Sequence, residues 1–300
     1  MKCIHCNSQL PEGKYKCVNP KCRMWSIAST VSIEDSTVLL SDAKLGVVER
    51  IVTGIVDRCF GPPENPGVVT TSVNLLAGDP GAGKTTLCLM LSNFFAGHFG
   101  KEALYIANEQ EDVELKDTAS RLHLEHANKI RIVKAMGGVN HDIGAIILHY
   151  KPCLIVLDSV TKWAGEDAHE AVIICQRLKD YAVKIKSPCI VINQVTKGGD
   201  HAGLNKMQHA VDATMMFEVW GDNPEDPRRL HVRKNRNGPA PVSQFFKMTP
   251  TGLFGISEED ALQRLKDNEQ GRPPERDYGG NEEGEEEEDD TEENGNNSTE

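Results

Sequence analysis

The stretch that most constrains this chain is residues 72–96, SVNLLAGDPGAGKTTLCLMLSNFFA. An apolar run from Val73 to Ala77 leads into Gly78-x4-Gly83-Lys84-Thr85, and apolar residues at helical spacing follow at Leu87, Met90, Leu91, Phe94 and Phe95. A strand, a glycine loop and a helix in that order form a cradle for phosphate. The loop Gly78, Asp79, Pro80, Gly81, Ala82 and Gly83 wraps the anion with backbone N–H groups, and Lys84 neutralises the β and γ charges. Thr85 then ligates magnesium and Thr86 completes the nucleotide-binding residues, so ATP with Mg2+ is the expected occupant.

Three further apolar runs extend the same pattern. EALYIANEQE places a strand at Ala103 to Ala107, with Glu109 and Glu111 just beyond its carboxyl end. KPCLIVLDSV gives a fully buried strand ending in Asp158, and SPCIVINQVTKGG gives another ending at Asn193 and Gln194. Apolar runs without alternation, separated by helical segments, imply parallel βαβ units whose carboxyl edge binds ligand. The expected fold is α/β, a mostly parallel twisted sheet flanked by helices. Asp158 then holds the magnesium shell, and Glu109 is the general base that deprotonates the attacking water, with Glu111 as its rival. Gln194 stands where an amide can sense the γ-phosphate.

The chain ends carry different chemistry. Cys3, Cys6, Cys17 and Cys22 follow a Cys-x2-Cys-x10-Cys-x4-Cys spacing, suited to a closed tetrahedral Zn2+ site that folds a segment too short for its own core. The remaining five cysteines, Cys59, Cys88, Cys153, Cys175 and Cys189, stand alone in apolar surroundings and read as core residues. At the other end, residues 281–300 hold eleven Asp/Glu and no Lys/Arg, leaving 34 acids against 33 bases elsewhere. A tail without apolar side chains is expected to stay disordered, either as a solubility tail or as a contact for a recombination or replication protein. The domains expected are a zinc ribbon at 1–28, a linker at 29–49, the ATPase core at 50–256, and a short helix with the acidic tail at 257–300. The N-terminus lacks the apolar core of a secretory signal and no apolar run reaches the roughly 18 residues of a membrane span. A cytoplasmic protein without a membrane segment is expected.

One run stands out against this near-neutral body. Residues 228–238, RRLHVRKNRNG, contain five cations and no acid. Leu230 and Val232 alternate with polar residues, so a strand is expected with its apolar side inward and its cations outward.

The order of these parts resembles the bacterial RadA (Sms) family of RecA-type ATPases over residues 1–256. RIVTGIVDRCFG resembles that family's RISTGIxELDRVLGG, GDPGAGKTTL its GDPGIGKSTL, YIANEQE its YVSGEES, and LDSV its IDSI. VTKGGDHAG and QHAVDATMMFEVWGD resemble VTKEGxIAG and EHMVDTVLYFEGD, and KNRNG resembles the signature KNRFG. The resemblance implies a RecA-like P-loop core in a homo-oligomeric, hexameric ring that binds single-stranded DNA and drives branch migration or unwinding in recombination or repair. It also implies that Lys197 and Lys206 line the DNA channel. Lys234 and Arg236 would act on the neighbouring subunit's ATP and link it to DNA. Three departures stand out: an acidic tail in place of the family's Lon-protease-like domain, Asn237 in place of its aromatic residue, and Asn193-Gln194 in place of its Gly-His.

Two other readings share the core. A replicative helicase of the DnaB or phage primase-helicase type would also translocate on DNA. A nucleotide-switched regulatory ATPase would have no use for an exposed basic run, which is the feature that separates it from a motor.

Overall fold

A computed structural model describes residues 2, 3, 6–11, 17–22, 39, 41, 48–134, 143–194 and 201–268, with backbone alone for 201–205. Two compact units emerge, Met1–Val48 and Glu49–Glu300. In the first, Cys3, Leu10 and Cys17 are buried together, with Cys6 and Cys22 packed against them. Cys3 N–H donates to Ser8 O and Asn7 N–H to Cys3 O, closing a tight knuckle around the first two cysteines.

The second unit is built on a nine-stranded sheet. In chain order its described elements are β1 (Arg50–Ile51), α1 (Asp57–Phe60), β2 (Val68–Val69), β3 (Val73–Gly78), α2 (Lys84–Phe99), β4 (Ala103–Ala107), α3 (Asp112–Arg121) and β5 (Ile130–Lys134). There follow α4 (Ile143–Tyr150), β6 (Ile155–Asp158), α5 (Val160–Trp163), α6 (Ala168–Ile185), β7 (Cys189–Gln194) and α7 (His201–Ala210). The unit closes with β8 (Ala213–Val219), β9 (Arg228–Asn235), β10 (Val242–Thr249), β11 (Gly252–Ile256) and α8 (Glu258–Asp267). The sheet order is β11-β10-β9-β8-β3-β7-β6-β4-β5, with β1 and β2 forming a separate antiparallel pair.

From β8 to β5 every pairing is parallel, and from β8 to β11 every pairing is antiparallel. The fold is therefore an α/β core with a mostly parallel sheet, as the unalternating apolar runs require. Strand pleating sends neighbouring residues to opposite faces. Leu76, Tyr105, Val156 and Ile192 pack with Leu87, Leu91 and Phe95 of α2, whereas Leu75, Leu104, Leu157 and Val191 pack with Ile174 and Leu178 of α6. A strand buried on both faces has no polar side to alternate with, which is why β3, β4, β6 and β7 read as continuous apolar runs. Among the described residues no helix is long and apolar enough to cross a membrane.

The basic run 228–238 departs from its expected alternation in two places. Arg228 lies on the same face as Leu230 and Val232 and is buried, donating from Nη1 to Asp226 O. Its cation thus points inward, where the charge pattern had all of them outward. A register shift then pairs Met215 with Val232 but Thr214 with Lys234, so Arg233 is the extra residue of a bulge. Arg233 is exposed, and the bulge turns Lys234 back toward the body of the domain. Lys197, the linker at 29–49 apart from Leu39, Ser41, Val48 and Glu49, and the acidic tail lie outside the described residues.

Candidate functional site

The carboxyl ends of β3, β4, β6 and β7 bring the expected site residues to one edge. At β3 the chain can enter the phosphate loop only through glycine: a Cβ on Gly78 would lie 1.9 Å from Phe217 O on β8. Gly83 then takes a φ of 103° as the N-cap of α2, a conformation that costs an L-residue about 1 kcal/mol or more. Lys84, first residue of α2, is only 7% exposed, and its Nζ donates to Gly78 O at 2.7 Å and Asp79 O at 2.8 Å. Burial pulls its pKa below the ordinary ammonium value, while Asp158, Glu109 and Asp79 oppose that shift. The ammonium is thus held over the loop by carbonyls alone. Among the described residues it makes no ion pair, which leaves its charge for an anion in the loop.

Asp158 at the end of β6 is buried, and Tyr105 Oη donates to its Oδ2 at 2.8 Å. Burial raises its pKa from 3.8 to about 6, against the hydrogen bond from Tyr105 and the charge of Lys84, which favour the carboxylate. A hydroxyl, a carboxylate and a fixed ammonium around a glycine loop are the donor set a magnesium–polyphosphate takes, so the residues present fit ATP with Mg2+.

Glu109 and Gln194 meet across this edge, Gln194 Nε2 donating to Glu109 Oε2. Asn108, just before Glu109, fixes the end of β4 to β6. Its Nδ2 donates to Ser159 O at 2.9 Å, its Oδ1 accepts from Ser159 N–H at 2.5 Å, and its own N–H donates to Asp158 O at 2.8 Å. Glu111 instead begins α3 as the N-cap of a capping box, its N–H donating to Glu114 Oε2 at 3.2 Å. It therefore has a structural task that Glu109 lacks.

The basic turn is not a set of free cations. Lys234 Nζ donates to Gln208 O and to Val211 O at 2.9 Å, and Arg236 Nη2 donates to His209 O at 3.2 Å. Both cations thus hold carbonyls at the C-terminal end of α7, where positive charge is favoured. Burial lowers the Lys234 pKa, with Arg236 adding to the effect and Asp212 opposing it. The turn is anchored on its other side by Arg50, which donates to Phe60 O at 3.0 Å, Gly67 O at 3.2 Å and Asn237 O at 2.5 Å. Asn235 Nδ2 adds a bond to Cys59 O at 3.2 Å, and Asn235 Oδ1 accepts from Asn237 N–H at 2.9 Å. Asn237 enters these contacts through its backbone, so the turn's anchoring does not call for an aromatic side chain there. Lys206 lies exposed on α7.

The family model described as "ATPase: KaiC" matches residues 51–257, more than two thirds of the chain. This protein belongs to the KaiC family of ATPases. Within it, the chain is RadA-like. It is 29% identical over 284 residues to the DNA repair protein RadA of Aquifex aeolicus, covering 87% of this chain and 60% of the relative. With the DNA repair protein RadA of Mycolicibacterium smegmatis it shares 28% identity over 296 residues, again 87% of this chain and 60% of the relative. The chain thus spans about 60% of the length of these curated relatives. The crystal structure of a KaiC-like protein from Pyrococcus horikoshii OT3 superposes with a TM-score of 0.58 at 19% identity, covering 70% of this chain and 100% of that one, a likeness of fold.

The four cysteines of the KaiC-family chain form one cluster, their ligand atoms all within 4.8 Å of one another. Sulfurs on a tetrahedral zinc at about 2.3 Å stand ~3.8 Å apart. The Cys3–Cys22 and Cys6–Cys17 Sγ distances, 3.7 and 3.5 Å, fit that polyhedron. The Ser8 hydroxyl holds the Cys6 thiol below its ordinary pKa, whereas burial pushes Cys17 up to about 12. The other five cysteines are all buried.

Sequence reasoning missed Tyr105, Asn108 and Arg50. Tyr105 sits inside ALYIA and has the pattern of any core aromatic. Asn108 carried a weak signal, a polar amide at the carboxyl end of a buried strand. Arg50 carried none beyond its place in RIVTG.

Proposed function

We propose that this KaiC-family ATPase is a motor that hydrolyses ATP on single-stranded DNA, works as a homo-oligomeric ring of six chains, and serves recombination or repair by branch migration or unwinding. The observation that supports it best is how one segment is bracketed. β7 ends at Gln194, which holds Glu109 at the ATP edge, and α7, the next described element, ends under Lys234 and Arg236. In this reading Gln194 senses the γ-phosphate, and the end of α7 is where the basic turn is held. The similarity to proteins named DNA repair protein RadA supports DNA as the polymer.

In this reading Lys84 and the loop from Gly78 to Thr86 hold the phosphates. Glu109 accepts a proton from the water whose oxygen attacks the γ-phosphorus, while the bond to the β–γ bridging oxygen breaks and ADP leaves. Thr85 and Asp158 would hold magnesium, which would supply charge neutralisation to the phosphates. Gln194 signals whether the γ-phosphate is present. Lys197 and Lys206 contact the DNA backbone, and Lys234 and Arg236 exchange between the α7 carbonyls and the phosphates of a neighbouring subunit. Cys3, Cys6, Cys17 and Cys22 hold Zn2+ for structure.

The test is ATP turnover of the full chain with and without single-stranded DNA, for the wild type and for Arg236→Ala. Stimulation in the wild type that is lost in the variant supports the motor. Turnover indifferent to DNA in both favours a nucleotide-switched regulator, and fork unwinding without branch migration favours a replicative helicase.

A further inference from the structure

Tyr105 is 0% exposed, on the middle of β4, and its neighbours on that face are the apolar side chains that pack α2 onto the sheet. A phenol in such a place must find a partner for its hydroxyl, since burying one unpaired costs about 1–3 kcal/mol. It finds one in Asp158: Oη donates to Oδ2 at 2.8 Å, joining the middle of β4 to the end of β6.

The backbone does not explain this placement. β4 and β6 are already in register, Ala107 beside Asp158 and Tyr105 beside Val156, and Asn108 staples their ends. A phenylalanine would fill nearly the same volume in β4 and serve the apolar face equally well. What the hydroxyl adds is a fixed direction for one oxygen of Asp158 before any nucleotide arrives. We propose that Tyr105 is a positioning residue for magnesium: it holds Asp158 in the arrangement that takes the ion with ATP, and touches neither ion nor nucleotide itself. This inference rests on the ATPase reading of Thr85 and Asp158.

A group acting on metal ligands from behind typically changes metal affinity by about 10–100-fold when removed. The experiment uses the full chain and the variants Tyr105→Phe, Asp158→Asn and the double variant, with a fluorescent ADP analogue titrated in EDTA and at rising Mg2+, beside ATP turnover. For Tyr105→Phe the Mg2+ concentration that half-saturates nucleotide binding and turnover rises about ten-fold, while affinity in EDTA stays within about two-fold. Mn2+, which takes up the same oxygen ligands more tightly than Mg2+, narrows the gap between variant and wild type. In the double variant the Mg2+ dependence equals that of Asp158→Asn alone, because the carboxylate that Tyr105 positions is gone.

An unchanged Mg2+ half-saturation in Tyr105→Phe overturns the inference, as does an additive effect in the double variant. The double variant also covers a failure of Tyr105→Phe to fold, since it removes the buried charge that the lost hydroxyl had solvated. A wild type whose nucleotide binding and turnover do not depend on Mg2+ overturns the ATPase reading itself, a distinct outcome.

Discussion

Gln194 at the end of β7 hydrogen-bonds Glu109 at the end of β4, across the intervening strand β6 that carries Asp158. The amide donates to one carboxylate oxygen and fixes the orientation of Glu109 at this edge. Glu109→Gln is therefore expected to bind ATP with near-normal affinity while hydrolysis falls by about 100-fold or more, as loss of a general base does. Equilibrium binding of a fluorescent ATP analogue beside steady-state turnover measures both. Turnover within a few-fold of wild type removes Glu109 from the role of base.

Asp158 carries a stability cost that can be read from pH. Its folded pKa, about 6, lies above the ordinary 3.8, chiefly through burial. A carboxyl raised in the folded state stabilises the fold fully below its unfolded value, and that contribution is lost as pH rises through the folded value. The ligand-free protein therefore loses stability between about pH 4 and 6 on this account, by up to about 3 kcal/mol for a shift of roughly two units. Asp158→Asn keeps an acceptor for Tyr105 and removes the charge. In urea unfolding it should be more stable than wild type at pH 7.5, with the difference vanishing toward pH 4, while Mg-ATP turnover is lost. A variant less stable than wild type at pH 7.5 contradicts this account of the buried carboxylate.

Much of this edge was legible in the sequence, and the reasons differ from residue to residue. The loop from Gly78 to Thr85 was legible because phosphate binding needs glycine where a Cβ on Gly78 would strike Phe217 O. β3, β4, β6 and β7 were legible because burial on both faces writes an apolar run. Arg228 was not, because its burial depends on Asp226 O turning inward to meet it, a contact made by a loop. The bulge at Arg233 depends on pairing with β8, which no local pattern records. Tyr105 was hidden for a third reason: the sequence shows an aromatic in a core strand, and only tertiary structure shows where its hydroxyl points.

Lys234 and Arg236 hold the end of α7, so their loss has a signature that a pure phosphate contact would lack. Lys234→Ala removes the contacts to Gln208 O and Val211 O, and a lost charged contact at a helix end is worth about 0.3–1 kcal/mol, up to ~2 when partly buried. Hydrogen exchange of the 201–210 amides should accelerate in the ligand-free variant, with ATP binding retained and DNA-stimulated turnover lost. Unchanged exchange together with lost stimulation would leave Lys234 acting only outside its own protomer.

The cysteine cluster predicts one zinc per chain by elemental analysis, with Cys17→Ser losing most of it. Stripping the metal with a strong chelator should open residues 1–28 to proteolysis, because four thiols and Leu10 are all the core described there. A metal-free chain that keeps this segment protected contradicts a zinc-held ribbon.

The central claim is that ATP hydrolysis here is coupled to DNA. Steady-state ATP turnover of the wild-type chain, measured at saturating Mg-ATP with and without a homopolymeric single-stranded DNA, tests it most directly. The account predicts a several-fold rise with DNA that weakens as salt is raised, since cationic contacts to the backbone carry it. Turnover that is measurable without DNA and unchanged by it at any salt concentration would contradict the account.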